Sequence, residues 1–300
     1  MRRFILGTLL TLTFVAVGIA AAPPLTFTFT DVHANKTATE TDTYAVNNFG
    51  TIAGDYVDSN GVQHGMLHGA PTTTFDYNKC ETITGTGGIA AFGVNNSCTV
   101  AGWCTSSSSG LDIGFTWSKT TGKFVDINFP GASGTEVNGI NDNGDVVGLY
   151  LDSAGLSHGF SKIGTKYTSI DVNGETNTVA WAINNKGQIT VYATNSAGDY
   201  DSFLLTGKTF KNINNPSAKG GLGTIVHTLN NQGDIDGTYY DSASNEHGWL
   251  LHGGKYYDVE DPNGPNVSRA DGLNDKLEVV GRYTDSTSGA TVGFKATTKQ

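Results

Sequence analysis

Three histidines recur in one setting. Asp58 and His64, Asp152 and His158, and Asp241 and His247 stand six residues apart, and each histidine is followed by glycine. An imidazole beside a carboxylate could act as a general base, join a metal site, or close a loop through a charge-assisted hydrogen bond. Copies carried by different repeats would not converge on one substrate, so the sequence favours a structural clasp. A second set varies where its surroundings do not. Three residues before a recurring asparagine stand Tyr44, Phe92, Asn138, Trp181, His227 and Asp271; two residues further back, Asp42, Glu136 and Arg269 alternate with Ala90, Val179 and Ile225. Aromatic rings beside carboxylates suit a sugar, by stacking and hydrogen bonding. His227, Asp271, Glu136 or Arg269 could also serve a hydrolase or lyase acting on a polysaccharide or lactone. The plain alternative is that Tyr44, Phe92 and Trp181 fill gaps between repeats, as buried aromatics commonly do. No His-Glu-x-x-His, Gly-x-Ser-x-Gly, P-loop or Cys-x-x-Cys pattern occurs, which weighs against an enzyme.

Oxygen-bearing side chains also recur at Asp31, Asp76, Asn128, Asp171, Asn214 and Glu260. Such hard ligands could take calcium, but one cation per repeat, each with about 6–8 oxygens, is demanding. The run Asn141-Asp142-Asn143-Gly144-Asp145 lacks the spacing and distal glutamate of an EF-hand and reads as a hairpin turn. No metal or cofactor is expected.

The elements that position these residues follow from a repeat. An apolar residue and asparagine recur at Asn47, Asn95, Asn141, Asn184, Asn230 and Asn274, with spacings of 48, 46, 43, 46 and 44 residues. A period of about 40–45 residues is that of a four-stranded propeller blade. Glycine at the third position after most of these asparagines marks a hairpin turn. Another, seven residues after, sits inside a strand, where glycine marks a bulge or a close backbone approach. After Asn274 too little chain remains for a fourth strand, while Leu25 to Val32 resembles the missing one. The expectation is an all-β, six-bladed β-propeller of four-stranded antiparallel blades, residues 23–300 forming one domain. The N-terminal strand completes the last blade by pairing near Val292 to Ala296, and closure protects both edges. The variable residues then ring the mouth of a central channel.

Residues 1–22 combine Arg2 and Arg3, an apolar run and Ala20-Ala21-Ala22, the pattern of a secretory signal peptide, so a secreted, extracellular or periplasmic protein without a membrane anchor is expected. The formal charge of −10 and scattered basic residues disfavour nucleic acid as a partner. Three cysteines allow one bridge. Cys98 and Cys104 lie at opposite ends of a strand, about 20 Å apart at strand rise, so Cys80 with Cys104 is the expected pair. Sequons stand at Asn35, Asn95 and Asn266.

The unit GINDNGDVVGLYLDSAGLSHGF, from Gly139 to Phe160, with YTSIDVNG after it and FPGAS before it, resembles the HAF-type extracellular repeat family of bacteria. The fourth copy departs from the pattern at Val191 and at Asp201-Ser202-Phe203, and the second lacks both the Asp and the His. The resemblance implies a propeller-like fold and an extracellular location, and brings no established activity. The expected function is a monomeric binding module that recognises a glycan or an extracellular protein through one face, with a hydrolase or lyase and a structural matrix protein as alternatives.

Overall fold

The computed structural model describes residues 25–81 and 88–299; segment 1–22, expected from its sequence to be a signal peptide, lies outside them. Every regular element among the described residues is a β-strand. β1 (Thr26–Val32) precedes blade 1, which comprises β2 (Glu40–Val46), β3 (Ile52–Val57), β4 (Gln63–His68) and β5 (Thr73–Phe75). Blade 2 comprises β6 (Ala90–Val94), β7 (Thr99–Thr105), β8 (Asp112–Ser118) and β9 (Phe124–Ile127); blade 3, β10 (Gly134–Ile140), β11 (Val146–Leu151), β12 (Ser157–Ile163) and β13 (Lys166–Ile170). Blade 4 comprises β14 (Thr176–Ile183), β15 (Ile189–Thr194), β16 (Tyr200–Thr206) and β17 (Thr209–Asn212); blade 5, β18 (Gly223–Leu229), β19 (Ile235–Tyr240), β20 (Glu246–His252) and β21 (Lys255–Asp258). Blade 6 comprises β22 (Ser268–Leu273), β23 (Val279–Thr284), β24 (Thr291–Lys299) and, as its outer strand, β1.

The last pairing closes the ring. β1 runs antiparallel to β24 from Thr26 opposite Lys299 to Val32 opposite Gly293, which removes the open edge that β24 would present. The core lies between blades. Phe115, Phe160, Trp249 and Phe294, each following a glycine of its third strand, are fully buried, and burial of one such side chain is worth roughly 1.5–3 kcal/mol.

The recurring asparagines join the blades at the axis. Each side-chain Nδ2 donates to the backbone carbonyl of the equivalent asparagine in the next blade: Asn47 to Asn95, Asn95 to Asn141, Asn141 to Asn184, Asn184 to Asn230, Asn230 to Asn274 and Asn274 back to Asn47, at 2.9–3.3 Å. Each Oδ1 accepts backbone N–H groups of its own hairpin turn, as Asn184 does from Lys186 and Gln188 at 3.0 Å. Above this ring lies a second one. The backbone N–H of Asn48, Asn96, Asp142, Asn185, Asn231 and Asp275 each donates to the next blade's Oδ1 at 2.8–2.9 Å. Glycosylation at Asn95 is incompatible with its burial in the first ring.

The strand glycines answer to a close approach. At Gly148 a Cβ would stand 1.9 Å from the Glu136 carbonyl oxygen, and Gly54, Gly102, Gly237 and Gly281 are equally crowded by the matching carbonyl of their own inner strands. The blade with Val191 at this position is the one whose inner strand carries a second register shift, at Asn177.

Candidate functional site

Inner strands run from the end where linkers enter the blades toward the asparagine turns. At the turn end the axial cavity is about 100 Å³, with Phe92 and Asn138 at its floor. Liquid water takes about 30 Å³ per molecule, so this space suits a few waters and not a sugar ring.

The variable position three residues before each asparagine is a β-bulge. Register shifts skip Tyr44, Phe92, Asn138, Trp181 and Asp271, and in blade 5 both His227 and Thr228. A bulged residue leaves the ladder and its side chain is re-aimed, and here several bulged side chains meet near the axis. The Tyr44 and Phe92 rings lie 4.5 Å apart, Phe92 and Trp181 5.8 Å, and Trp181 and His227 5.0 Å. They do not form one exposed ring. Asn138, His227 and Asp271 are buried: Asn138 donates to the Ala180 carbonyl at 3.3 Å, and His227 Nδ1 lies 2.7 Å from the Ala270 carbonyl and 3.3 Å from Asp271. Enclosure lowers the His227 pKa, so the neutral imidazole is favoured there. Tyr44, Phe92 and Trp181 are half-buried and stay accessible.

Toward the linker end, each residue two before the bulge stands directly across from one on the second strand: Asp42 with Asp55, Glu136 with Leu149, Val179 with Tyr192, Arg269 with Arg282. Arg282 organises this region. It lies 3.4 Å from Asp42 and 3.3 Å from Asp271, with its guanidinium 4.9 Å above the Tyr44 ring. Despite its own burial, these groups keep it firmly protonated. Asp55, 1% exposed and opposite Asp42, has its pKa pushed well up by burial and by that second carboxylate. Burial, reinforced by Asp112, raises Glu136 to about 7.

From the axis a line of rings runs outward over blades 4 and 5. Trp181 to Tyr192 is 6.0 Å, Tyr192 to Tyr200 5.9 Å and Tyr200 to Tyr240 6.5 Å, continuing the Tyr44, Phe92, Trp181 series. All six rings are half-buried. The Tyr240 hydroxyl donates to Glu246 at 3.1 Å, and Arg269 makes a two-pronged pair with the same carboxylate. Sequence reasoning missed Tyr192, Tyr200, Tyr240 and Arg282. A usable signal lay eight residues after each asparagine, where Asp55, Trp103, Leu149, Tyr192, Thr238 and Arg282 vary as freely as the bulge position does.

The clasps have two jaws. His64, His158 and His247 place Nε2 3.6, 3.3 and 3.3 Å from Asp58, Asp152 and Asp241. The first is too long for a direct hydrogen bond. Their Nδ1 atoms meet Asp76 at 2.9 Å, Asp171 at 2.6 Å and Glu260, the residues that suggested calcium. Asp171, then Asp152, raises the His158 pKa; burial opposes the charge on His247, but Glu260 and Asp241 outweigh it and raise that pKa too. Each ring stacks on a tyrosine of the second strand, Tyr56, Tyr150 or Tyr239, at 4.8–5.2 Å. The other blades carry different ties at the same end. Cys80 and Cys104 form a disulfide with Cα atoms 5.6 Å apart in blade 2, Asp201 bonds Asn195 and Asn214 in blade 4, and Tyr283 donates to Asp31 at 3.2 Å in blade 6. Among the described residues no cluster of three or more His, Cys, Asp or Glu is arranged to hold a metal.

A second cavity, about 670 Å³, lies at the turn end between blades 3 and 4, with Ile163, Ile170, Leu205 and Phe210 beside Lys186 and Lys208.

No family model and no curated protein matches the sequence. Solved structures do. A fucose-binding lectin of Aleuria aurantia, described as a six-bladed β-propeller, aligns with TM-score 0.52 at 11% identity over 82% of this chain and 86% of the lectin. The SapL1 lectin, solved with alpha methyl fucoside, aligns with TM-score 0.54 at 11% identity over 90% and 98%. TolB from Acinetobacter baumannii aligns with TM-score 0.52 at 11% identity over 87% of this chain and 65% of TolB. At such identities the likeness bears on the fold: a six-bladed β-propeller of four-stranded blades.

Proposed function

We propose that this chain is a secreted carbohydrate-binding propeller of the HAF type, acting as a monomer and holding an oligosaccharide along the rings at its linker end. The observation that carries the reading is the line of half-buried aromatics from Tyr44 to Tyr240. Sugars present apolar faces that stack on aromatic rings, and hydroxyls that take hydrogen bonds from nearby charged groups; this track offers both, whereas the turn-end axial cavity is too small. The architecture is shared with fucose lectins and with TolB, so the fold admits sugar recognition without selecting it. Secretion rests on the 1–22 segment and the resemblance to extracellular repeats.

The test is a glycan array followed by calorimetry on Tyr192→Ala, Tyr240→Ala and Phe210→Ala. The expectation is a loss of at least about tenfold in affinity, roughly 1.4 kcal/mol, for the two track variants, with Phe210→Ala binding like the parent. The opposite pattern would move the site to the cavity between blades 3 and 4 and overturn the assignment. Product release from the bound oligosaccharide, abolished in Glu136→Gln, would instead make the protein a hydrolase acting through that carboxyl.

A further inference from the structure

The charges along the track narrow the ligand class, an inference that rests on the carbohydrate reading above. Both arginines that reach the rings already face carboxylates: Arg269 is hydrogen-bonded to Glu246, and Arg282 stands within ion-pair distance of Asp42 and Asp271, its Nη1 without a hydrogen bond. Two carboxyls there have no basic partner among the described residues. Asp112, at the start of β8, accepts only from the Thr105 hydroxyl at 3.2 Å, and Glu136 on β10 makes no ion pair. Their neighbourhood is acidic or neutral. Asp112 from β8 and Tyr192 from β15 are the titratable groups that act on Glu136, and Leu149 stands opposite it on β11. β6 and β14, which also pack on β10, contain no titratable residue, and the one titratable type on β7, Cys104, is locked in the disulfide.

A uronic-acid polymer entering this site would bring carboxylates to unpaired carboxyls, with both arginines already facing carboxylates. A cationic sugar meets the reverse: carboxylates for its ammonium groups, and aromatic faces that attract cations through the ring quadrupole. The Arg282 guanidinium above Tyr44 already uses that attraction. We propose that the site selects oligosaccharides bearing positively charged amino sugars and rejects polyuronates, with Glu136 and Asp112 taking the ammonium groups. The preference is tied to pH. Because burial and Asp112 raise Glu136 to about 7, its charge is absent in acid and present in mildly alkaline solution. Selectivity for cationic over neutral ligands therefore grows as pH rises through that value.

The experiment titrates the full mature chain, by tryptophan fluorescence, with three oligomers of equal length: N-trimethylated glucosamine, whose charge does not titrate, neutral N-acetylglucosamine, and galacturonate. Each is measured at about pH 5.5 and about pH 8.5, well below and above the Glu136 midpoint. The expected result at the higher pH is that the trimethylated oligomer binds about threefold to thirtyfold tighter than the neutral one, the range that cation contacts of this kind supply. Galacturonate is weakest, and the ratio falls at the lower pH. In Glu136→Gln, with thermal unfolding confirming the fold, the ratio loses its pH dependence. Galacturonate binding tightest, or an unchanged ratio and pH dependence in Glu136→Gln, would overturn this inference while leaving carbohydrate binding in place. Failure of all three oligomers at both pH values, with no array hit, would remove the parent reading as well.

Discussion

Replacing Asn184 by alanine isolates the asparagine ring that holds the blades together. The side chain is 4% exposed and makes four hydrogen bonds: Nδ2 donates to the Asn230 carbonyl at 3.1 Å and to Gln188 Oε1 at 3.0 Å, and Oδ1 accepts from the backbone of Lys186 and Gln188. A net hydrogen bond is worth about 1 kcal/mol, and a buried group left unpaired costs about 1–3 kcal/mol. Gln188 Oε1 is near water and recovers a partner, the Lys186 and Gln188 N–H groups lose part-buried bonds in a turn that is exposed at Lys186, and the Asn230 carbonyl loses a buried one. The expected loss is about 3–5 kcal/mol. For a domain of this size each kcal/mol moves Tm by about 2–4 °C, so the midpoint should fall by about 6–20 °C. The companion Asn184→Asp keeps the acceptor oxygen for the two turn N–H groups but exchanges the ring's donor for a carboxylate oxygen facing the Asn230 carbonyl. At neutral pH it should be destabilised at least as much as the alanine variant, and it should recover partially in acid, where the protonated carboxyl can donate again. Guanidinium unfolding followed by circular dichroism measures both, with Asn185→Ala, in the exposed second ring, as the comparison expected to cost under about 1 kcal/mol. A loss below about 1 kcal/mol for Asn184→Ala would refute the ring, since capping of one hairpin would then account for all of it.

Two further outcomes follow from the same geometry. The clasps hold His158 and His247 above their ordinary pKa, so the charged imidazole stabilises the fold fully below the unfolded value of about 6.5 and that stability is lost as pH rises through the folded values. The difference in Tm between the parent and His158→Gln/His247→Gln should therefore be largest near pH 5.5 and shrink toward pH 8.5, and a constant difference would mean the histidines act by packing alone. Gly148→Ala puts a methyl 1.9 Å from the Glu136 carbonyl and should cost about 3 kcal/mol or more in chemical unfolding, whereas Gly69→Ala, with nothing within 4 Å, should be nearly neutral; equal effects would mean that the inner strand yields to the added methyl.

What the sequence determined by itself is everything that depends on local chemistry and period. The spacing of Asn47 to Asn274 counted six blades, glycine chemistry placed the hairpins, and the incomplete last repeat required a strand from the other terminus, which β1 supplies. The Asp and His of each clasp were readable because they share one loop. Tertiary structure decided whatever depends on residues of different blades meeting. Asn274 and Asn47, 227 residues apart, become partners only when the ring closes, so the asparagines looked like hairpin residues and not like a ring. The second jaws of the clasps sit just past the outer strands, 12 or 13 residues from their histidines, and resembled calcium ligands until the strands paired. The bulges decide which side chains near the axis stay accessible. Period-two alternation assigns a face to each strand residue, but a bulge re-aims the side chain, so no pattern along the chain says that Tyr44, Phe92 and Trp181 stay accessible while Asn138, His227 and Asp271 are enclosed.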